Sequence, residues 1–258
     1  MDRLGYDRYD SEFEAVTAQL AAAAGACAPD DPVPSCPEWT VRDVLTHVGT
    51  GHRWVADIIE RRVQDPVRQI PAPAPEQPEQ WPDYLLDGAR RLRAAVRDAG
   101  PDQPVWTWQA DNTAGFWLRR MLHDELVHRF DVELAAGRIG DVAPDLAADG
   151  VTDLLECIAT LSQPMFRNQG GFGALAGDGQ ALRFEATDPG LDRSGWFVER
   201  TAAGVRWRHG DDPAGVTVRA PARELLLVLN RRLDPEKAGV EVSGDGTLLT
   251  HWLANGTF

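Results

Sequence analysis

The segment "RRMLHDELVHRFD", residues 119–131, gathers two histidines, three carboxylates and three arginines into thirteen positions. Successive helical residues turn by about 100°, so positions four apart project side by side. Asp124 and His128 form such a pair, and an aspartate beside an imidazole is a chelating couple for a divalent metal. Glu125, three before His128, could also converge on it, whereas His123 points away. The plain alternative is a solvated helix face carrying an ion pair such as Glu125 with Arg129. A third ligand would have to come from another element.

The segment "VRDVLTHVGTGHRW", residues 41–54, offers His47 and His52. Its apolar positions Val41, Val44, Leu45, Val48, Val55, Ile58 and Ile59 fit one helical stripe. His52 falls near the middle of that stripe and His47 at its edge, so spacing alone does not choose between a ligand and a satisfied core histidine. Gly49 and Gly51 remove side chains beside His47, which would let another helix or a ligand come close.

The elements that must position these residues can be read along the chain. Phe13, Val16 and Leu20 lead into an alanine run closed by Gly25, a first helix. After the breaker stretch "APDDPVPSCPEW", Thr40 with Asp43 three residues later caps the second helix. The proline-rich "DPVRQIPAPAPEQPEQWP" reads as an extended surface connection. Helices over residues 84–99 and 114–136 complete a four-helix bundle, and a fifth follows near 146–161. The glycine-rich "RNQGGFGALAGDGQ" reads as a hinge, because it lacks the strand-turn-helix setting of a nucleotide-binding loop. Beyond it "ALRFEAT", "GWFVERT", "GVRWRH" and "GVTVRA" alternate like antiparallel strands. A helix "PARELLLVLNRRL", a strand "GVEVSG" and a helix "GTLLTHWLA" close the chain. The expected fold class is therefore α+β: a helical bundle over residues 1–165 and a small antiparallel-sheet domain over 166–258.

A chain of 258 residues with 43% hydrophobic and 26% charged residues has the composition of a globular protein, nine tryptophans being its one oddity. The formal charge of -14 argues against nucleic acid or an anionic membrane as partner, since both would meet a repelling surface. The opening "MDRLGYDRYDSEFEAV" is too charged for a secretory signal. Cys27, Cys36 and Cys157 form neither a close metal-binding pair nor a disulfide framework. The expectation is a cytoplasmic protein.

The segments "SCPEWTVRDVLTHVGTGHRW" and "RRMLHDELVHRFDVELAAG" together resemble the actinobacterial maleylpyruvate isomerase family of mycothiol-dependent enzymes. "VRAPARELLLVLNRRL" and "GVEVSGDGTLLTHWLA" are similar to that family's sterol-carrier-like C-terminal domain. The resemblance implies a DinB-like four-helix bundle whose divalent metal, zinc, is held by His47, Asp124 and His128. The acidic ligand position is commonly Glu in the family, and Asp124 is shorter by one methylene, which bears on metal affinity and geometry. Glu125 would replace it only with a shift of helix register.

Two imidazoles and a carboxylate would leave a fourth tetrahedral position open, the arrangement of a catalytic rather than a structural zinc site. A thiol coordinated there loses its proton readily. The resemblance implies that mycothiol, the low-molecular-weight thiol partner, adds as thiolate to a conjugated cis double bond of a small maleylpyruvate-like substrate, allows rotation, and departs unchanged. A mycothiol S-transferase and a noncatalytic small-molecule binding protein are the alternatives. Arg231 and Arg232 are candidate clamps for substrate carboxylates by the same resemblance, with Arg129 or Arg120 contributing from the fourth helix. Cys36, just before a helix, could be a nucleophile, though packing at a turn explains it more simply. Trp39, Trp54, Trp106, Trp108 and Trp117 would fill the bundle core or wall the cavity.

Overall fold

The structure, a computed structural model, describes residues 4–169 and 171–256. It comprises two compact units, Met1–Gly140 and Asp141–Phe258. No described helix is long and apolar enough to cross a membrane.

In the first unit, α1 (Tyr6–Ala24) buries Phe13, Val16 and Leu20 and ends at Gly25. Two short antiparallel strands follow, β1 (Pro32–Val33) and β2 (Cys36–Thr40), with irregular register between Pro32 and Val33. Thr40 then caps α2 (Val41–Glu60) in a full capping box: its side chain accepts from the Asp43 amide, while the Asp43 carboxylate accepts from the Thr40 amide. α3 (Trp81–Ala99) starts with a proline in its first turn and stops at Gly100, whose φ of 87° suits glycine. α4 (Ala114–Ala135) is capped by Thr113. It packs against α1, α2, α3 and β1, so burial reaches around most of its circumference and takes in Arg119, His123, Glu125, Arg129, Asp131 and Glu133. A helix so enclosed must satisfy its polar side chains through neighbouring elements.

In the second unit, α5 (Pro144–Leu161) precedes two short 3-10 turns and the strands β3 (Ala181–Ala186), β4 (Gly195–Thr201), β5 (Gly204–His209) and β6 (Val216–Ala220). α6 (Ala222–Leu229), β7 (Glu241–Gly244) and α7 (Gly246–Asn255) complete it. The sheet order is β5-β4-β3-β6-β7. Alternation puts Leu182, Phe184, Trp196, Val198, Val216 and Val218 on the buried side. α5 packs on β5 and α6, and α6 and α7 pack on β6. Trp196 donates its indole N–H to Thr152 Oγ1 of α5 at 2.9 Å.

The α+β class with a helical bundle ahead of a sheet agrees with the sequence, and four particulars differ. The sheet is mixed rather than antiparallel, because β6 lies parallel to β3. Residues 210–215 carry the chain from β5 to the far side of β3, and the Asp211 carbonyl accepts from Arg183 of β3 on the way. The breaker stretch before α2 holds the β1-β2 hairpin rather than plain coil. The helix expected to contain Arg231 and Arg232 ends at Leu229, and Arg231 takes a positive φ of 58°. The glycine-rich segment, expected as an interdomain hinge after residue 165, follows α5 inside the second unit, and the compact units divide at 140/141.

Candidate metal centre

The capping box fixes where α2 starts and therefore which face each histidine presents. His47 turns towards α4, where its Nε2 lies 3.3 Å from Asp124 Oδ2. On α4 the four-residue spacing brings His128 Nε2 to 4.0 Å from the same oxygen. The rings of His47 and His128 meet nearly edge to face with centroids 4.7 Å apart. One donor atom from each of these three residues lies within 4.8 Å of the other two, and this is the one such group among the described residues. Side-chain exposure falls from 40% at His47 through 29% at Asp124 to 12% at His128, so the cluster opens to solvent on the α2 side.

Three further residues shape the cluster. Trp39 of β2 stacks on His128 at 5.9 Å and tilts against His47 at 5.3 Å. Arg120 donates to Asp124 Oδ1 at 3.1 Å from one turn earlier on α4. Asp131, fully buried, lies with Oδ2 2.8 Å from His128 Nδ1. Composition and spacing mark Trp39 only as core or cavity wall, and Asp131 is not among the residues expected from the sequence at this site, although its i,i+3 spacing from His128 in "HRFD" carries a signal.

Electrostatics favour a cation at this place. Burial by itself would raise the pKa of Asp124, but the His47 hydrogen bond and the charges of His128, His47 and Arg120 outweigh it and hold the carboxyl well below the usual range. Burial works against a charged His47, yet the hydrogen bond and charge of Asp124 prevail and raise its pKa above the ordinary imidazole value. An anionic carboxylate thus draws positive charge between the two rings. Two imidazole nitrogens and one carboxylate oxygen are the donor set that suits zinc and other borderline divalent ions. The residues fit such an ion.

His52, five residues from His47, occupies a different environment. It is 1% exposed, with Nε2 3.1 Å from Glu125 Oε2, and that oxygen also accepts from Thr17 of α1 at 3.0 Å. Glu125 is therefore engaged by α1 and α2 on a different side of α4 from the cluster. Arg129 is itself buried: it donates to Gln19 of α1, lies over the Phe130 ring at 4.4 Å and pairs with Glu133 at 3.5 Å. These contacts engage its guanidinium in the α1-α4 packing. Arg231 is exposed, and Arg232 donates to the Asn230 carbonyl at 2.8 Å, both within the second unit. His209 meets the Gly195 carbonyl and His251 the Ala174 carbonyl, in structural roles. Cys36 packs at the hairpin turn with Sγ 3.9 Å from Asp131 Oδ2. Gly49 accommodates a helix: a Cβ there would lie 2.3 Å from the Tyr84 ring of α3.

The description "Mycothiol maleylpyruvate isomerase N-terminal domain" matches residues 10–133, and the corresponding C-terminal domain matches residues 145–251. No curated protein matches the chain. Among solved structures, the crystal structure of the mycothiol-dependent maleylpyruvate isomerase is similar at a TM-score of 0.59 and 15% identity, covering 94% of this chain and 96% of that one. A mutant of the same enzyme gives a TM-score of 0.57 at the same identity and coverage. Identity that low speaks for the fold, whereas the two domain matches between them span nearly the whole sequence. On those matches, the chain belongs to the mycothiol maleylpyruvate isomerase family.

Proposed function

We propose that the chain is a metal-dependent, mycothiol-dependent enzyme acting on a small unsaturated acid, with isomerisation of a maleylpyruvate-like cis alkene as its reaction. The observation that carries this reading is the convergence of His47, Asp124 and His128, 77 and four residues apart, on one half-open point. Bound there, a divalent ion such as zinc supplies the positive charge that lets a thiol lose its proton at neutral pH. His47 and His128 offer neutral nitrogen donors, and Asp124 offers one oxygen while Arg120 holds the other. Trp39 covers the two rings and limits water on that side. The exposed flank at His47 is the side from which a thiol and substrate would enter. In the second unit, Arg231 and Arg232 are proposed contacts for substrate carboxylates, which suit the planar guanidinium fork.

The test combines metal analysis with thiol accounting. Protein purified without added metal is assayed for bound ions, then incubated with mycothiol and maleylpyruvate. The proposal expects bound metal, formation of the trans isomer and full recovery of free thiol. A stable thiol conjugate would instead make the chain an S-transferase, and metal-free folded protein without turnover would make it a noncatalytic binder.

A further inference from the structure

We propose that Asp131 is a positioning residue of the metal centre: its buried carboxylate sets the His128 ring with Nε2 towards Asp124 and His47, and ties that ring to the β1-β2 hairpin. The inference rests on the reading of His47, Asp124 and His128 as ligands, and concerns how one of them is held.

The two nitrogens of His128 face different partners. Nδ1 is 2.8 Å from Asp131 Oδ2, and Nε2 faces Asp124 Oδ2 at 4.0 Å. A carboxylate can only accept, so the ring proton belongs on Nδ1, which leaves the Nε2 lone pair for a cation. Carboxylate support of this kind orients a ligating imidazole and raises its basicity. An ordinary i,i+3 surface pair would not need full burial, whereas Asp131 is 0% exposed. Its other oxygen, Oδ1, accepts from Ser35 Oγ at 2.5 Å, at the hairpin turn between β1 and β2. From the same hairpin Trp39 stacks on His128. The ring is thus held at an edge by Asp131 and over a face by Trp39, and Ser35 links both restraints.

Two readouts test this, one of which needs no metal. Nitrogen-15 spectra of the metal-free protein at alkaline pH should place the neutral His128 proton on Nδ1, and in Asp131→Ala should show it move to Nε2 or become mixed. Zinc competition against a chelator should show about a 10–100-fold loss of affinity in Asp131→Ala. Asp131→Asn, which still offers an oxygen to Nδ1–H, should keep the tautomer and recover part of the affinity. If Asp131→Ala does not fold, Ser35→Ala keeps the test open, and should lower affinity by a smaller factor with the fold intact. An unchanged tautomer together with unchanged affinity in the folded variants overturns the inference. A wild-type protein that shows the Nδ1 tautomer yet binds no zinc overturns the ligand reading while leaving the Asp131 contact in place.

Discussion

His47 Nε2 and Asp124 Oδ2 lie 3.3 Å apart although 77 residues separate them, because α2 and α4 are packed neighbours whose facing turns are fixed by caps at Thr40 and Thr113. The same helix carries His52 into a buried bond with Glu125. The two histidines of α2 should therefore fail differently. His47→Ala removes a half-exposed ring and should cost about 0.5 kcal/mol or less of stability, while bound metal falls to a trace. His52→Leu leaves a buried carboxylate without one donor and should cost about 1–3 kcal/mol or more. Metal analysis beside chemical denaturation separates the two, and equal metal loss with equal destabilisation would contradict the assignment.

The pH response follows from the same pair. The folded-state pKa of His47 is raised, so its contribution to metal-free stability is complete below the ordinary imidazole value and is lost as pH rises through the raised one. The pKa of Asp124 is depressed, so its contribution is complete above the ordinary carboxylate value and is lost as pH falls through the folded one. Both are present together between roughly pH 4 and 6.5. In that window the gap in thermal midpoint between metal-free wild type and His47→Ala should be widest. Zinc must displace a proton from His47, so the rise in midpoint on adding zinc should grow as pH increases. A zinc-induced shift that does not change with pH counts against His47 as a ligand.

Periodicity served well where one face of a helix is apolar. The stripe on α2 placed His52 inside and His47 at the edge, and both positions agree with their burial. It served poorly on α4, where apolar and polar side chains are buried together and no single face marks the interior. Arg129 illustrates this: it follows His128 directly, and a 100° turn carries it to Gln19 of α1, a burial that spacing alone does not report. The mixed sheet was also illegible, since strand alternation reports which side is buried and says nothing about direction. Asp131 was within reach, because i,i+3 spacing from a candidate ligand is a local signal. Its second tie, to Ser35, depends on a hairpin 96 residues away and could not be read from spacing.

Two glycines of α2 make a sharper packing test. A Cβ on Gly49 would sit 2.3 Å from the Tyr84 ring, whose hydroxyl donates to the Ala72 carbonyl and whose face carries Arg53 at 4.2 Å. The ring is held on several sides, so Gly49→Ala should cost about 1–3 kcal/mol through overpacking. At Gly51 the nearest atom is Met121 Sδ at 3.4 Å, ordinary contact with a flexible side chain. Gly51→Ala should instead stabilise by about 0.5–1 kcal/mol, as alanine does inside a helix. Denaturant midpoints of opposite sign are expected, and a destabilised Gly51→Ala would show that Met121 cannot yield.

The second unit should depend on α5. Its residues Leu154, Leu155 and Ile158 are buried, it packs on α6 and β5, and Thr152 accepts the Trp196 indole N–H. Ser162, just past its end, accepts the Val205 amide at 2.9 Å at the start of β5. A fragment of residues 141–258 keeps these partners and should unfold cooperatively. One of residues 166–258 uncovers the apolar side of α6 and strands the Trp196 donor, costs that a sheet of five short strands has little reserve to absorb. It should aggregate or bind a hydrophobic dye with little near-ultraviolet circular dichroism. Within the whole chain, Trp196→Phe deletes the donor and leaves part of the buried indole's volume unfilled, and should lose about 2–4 kcal/mol. Cooperative unfolding of the shorter fragment would place α5 outside the structural core of this unit.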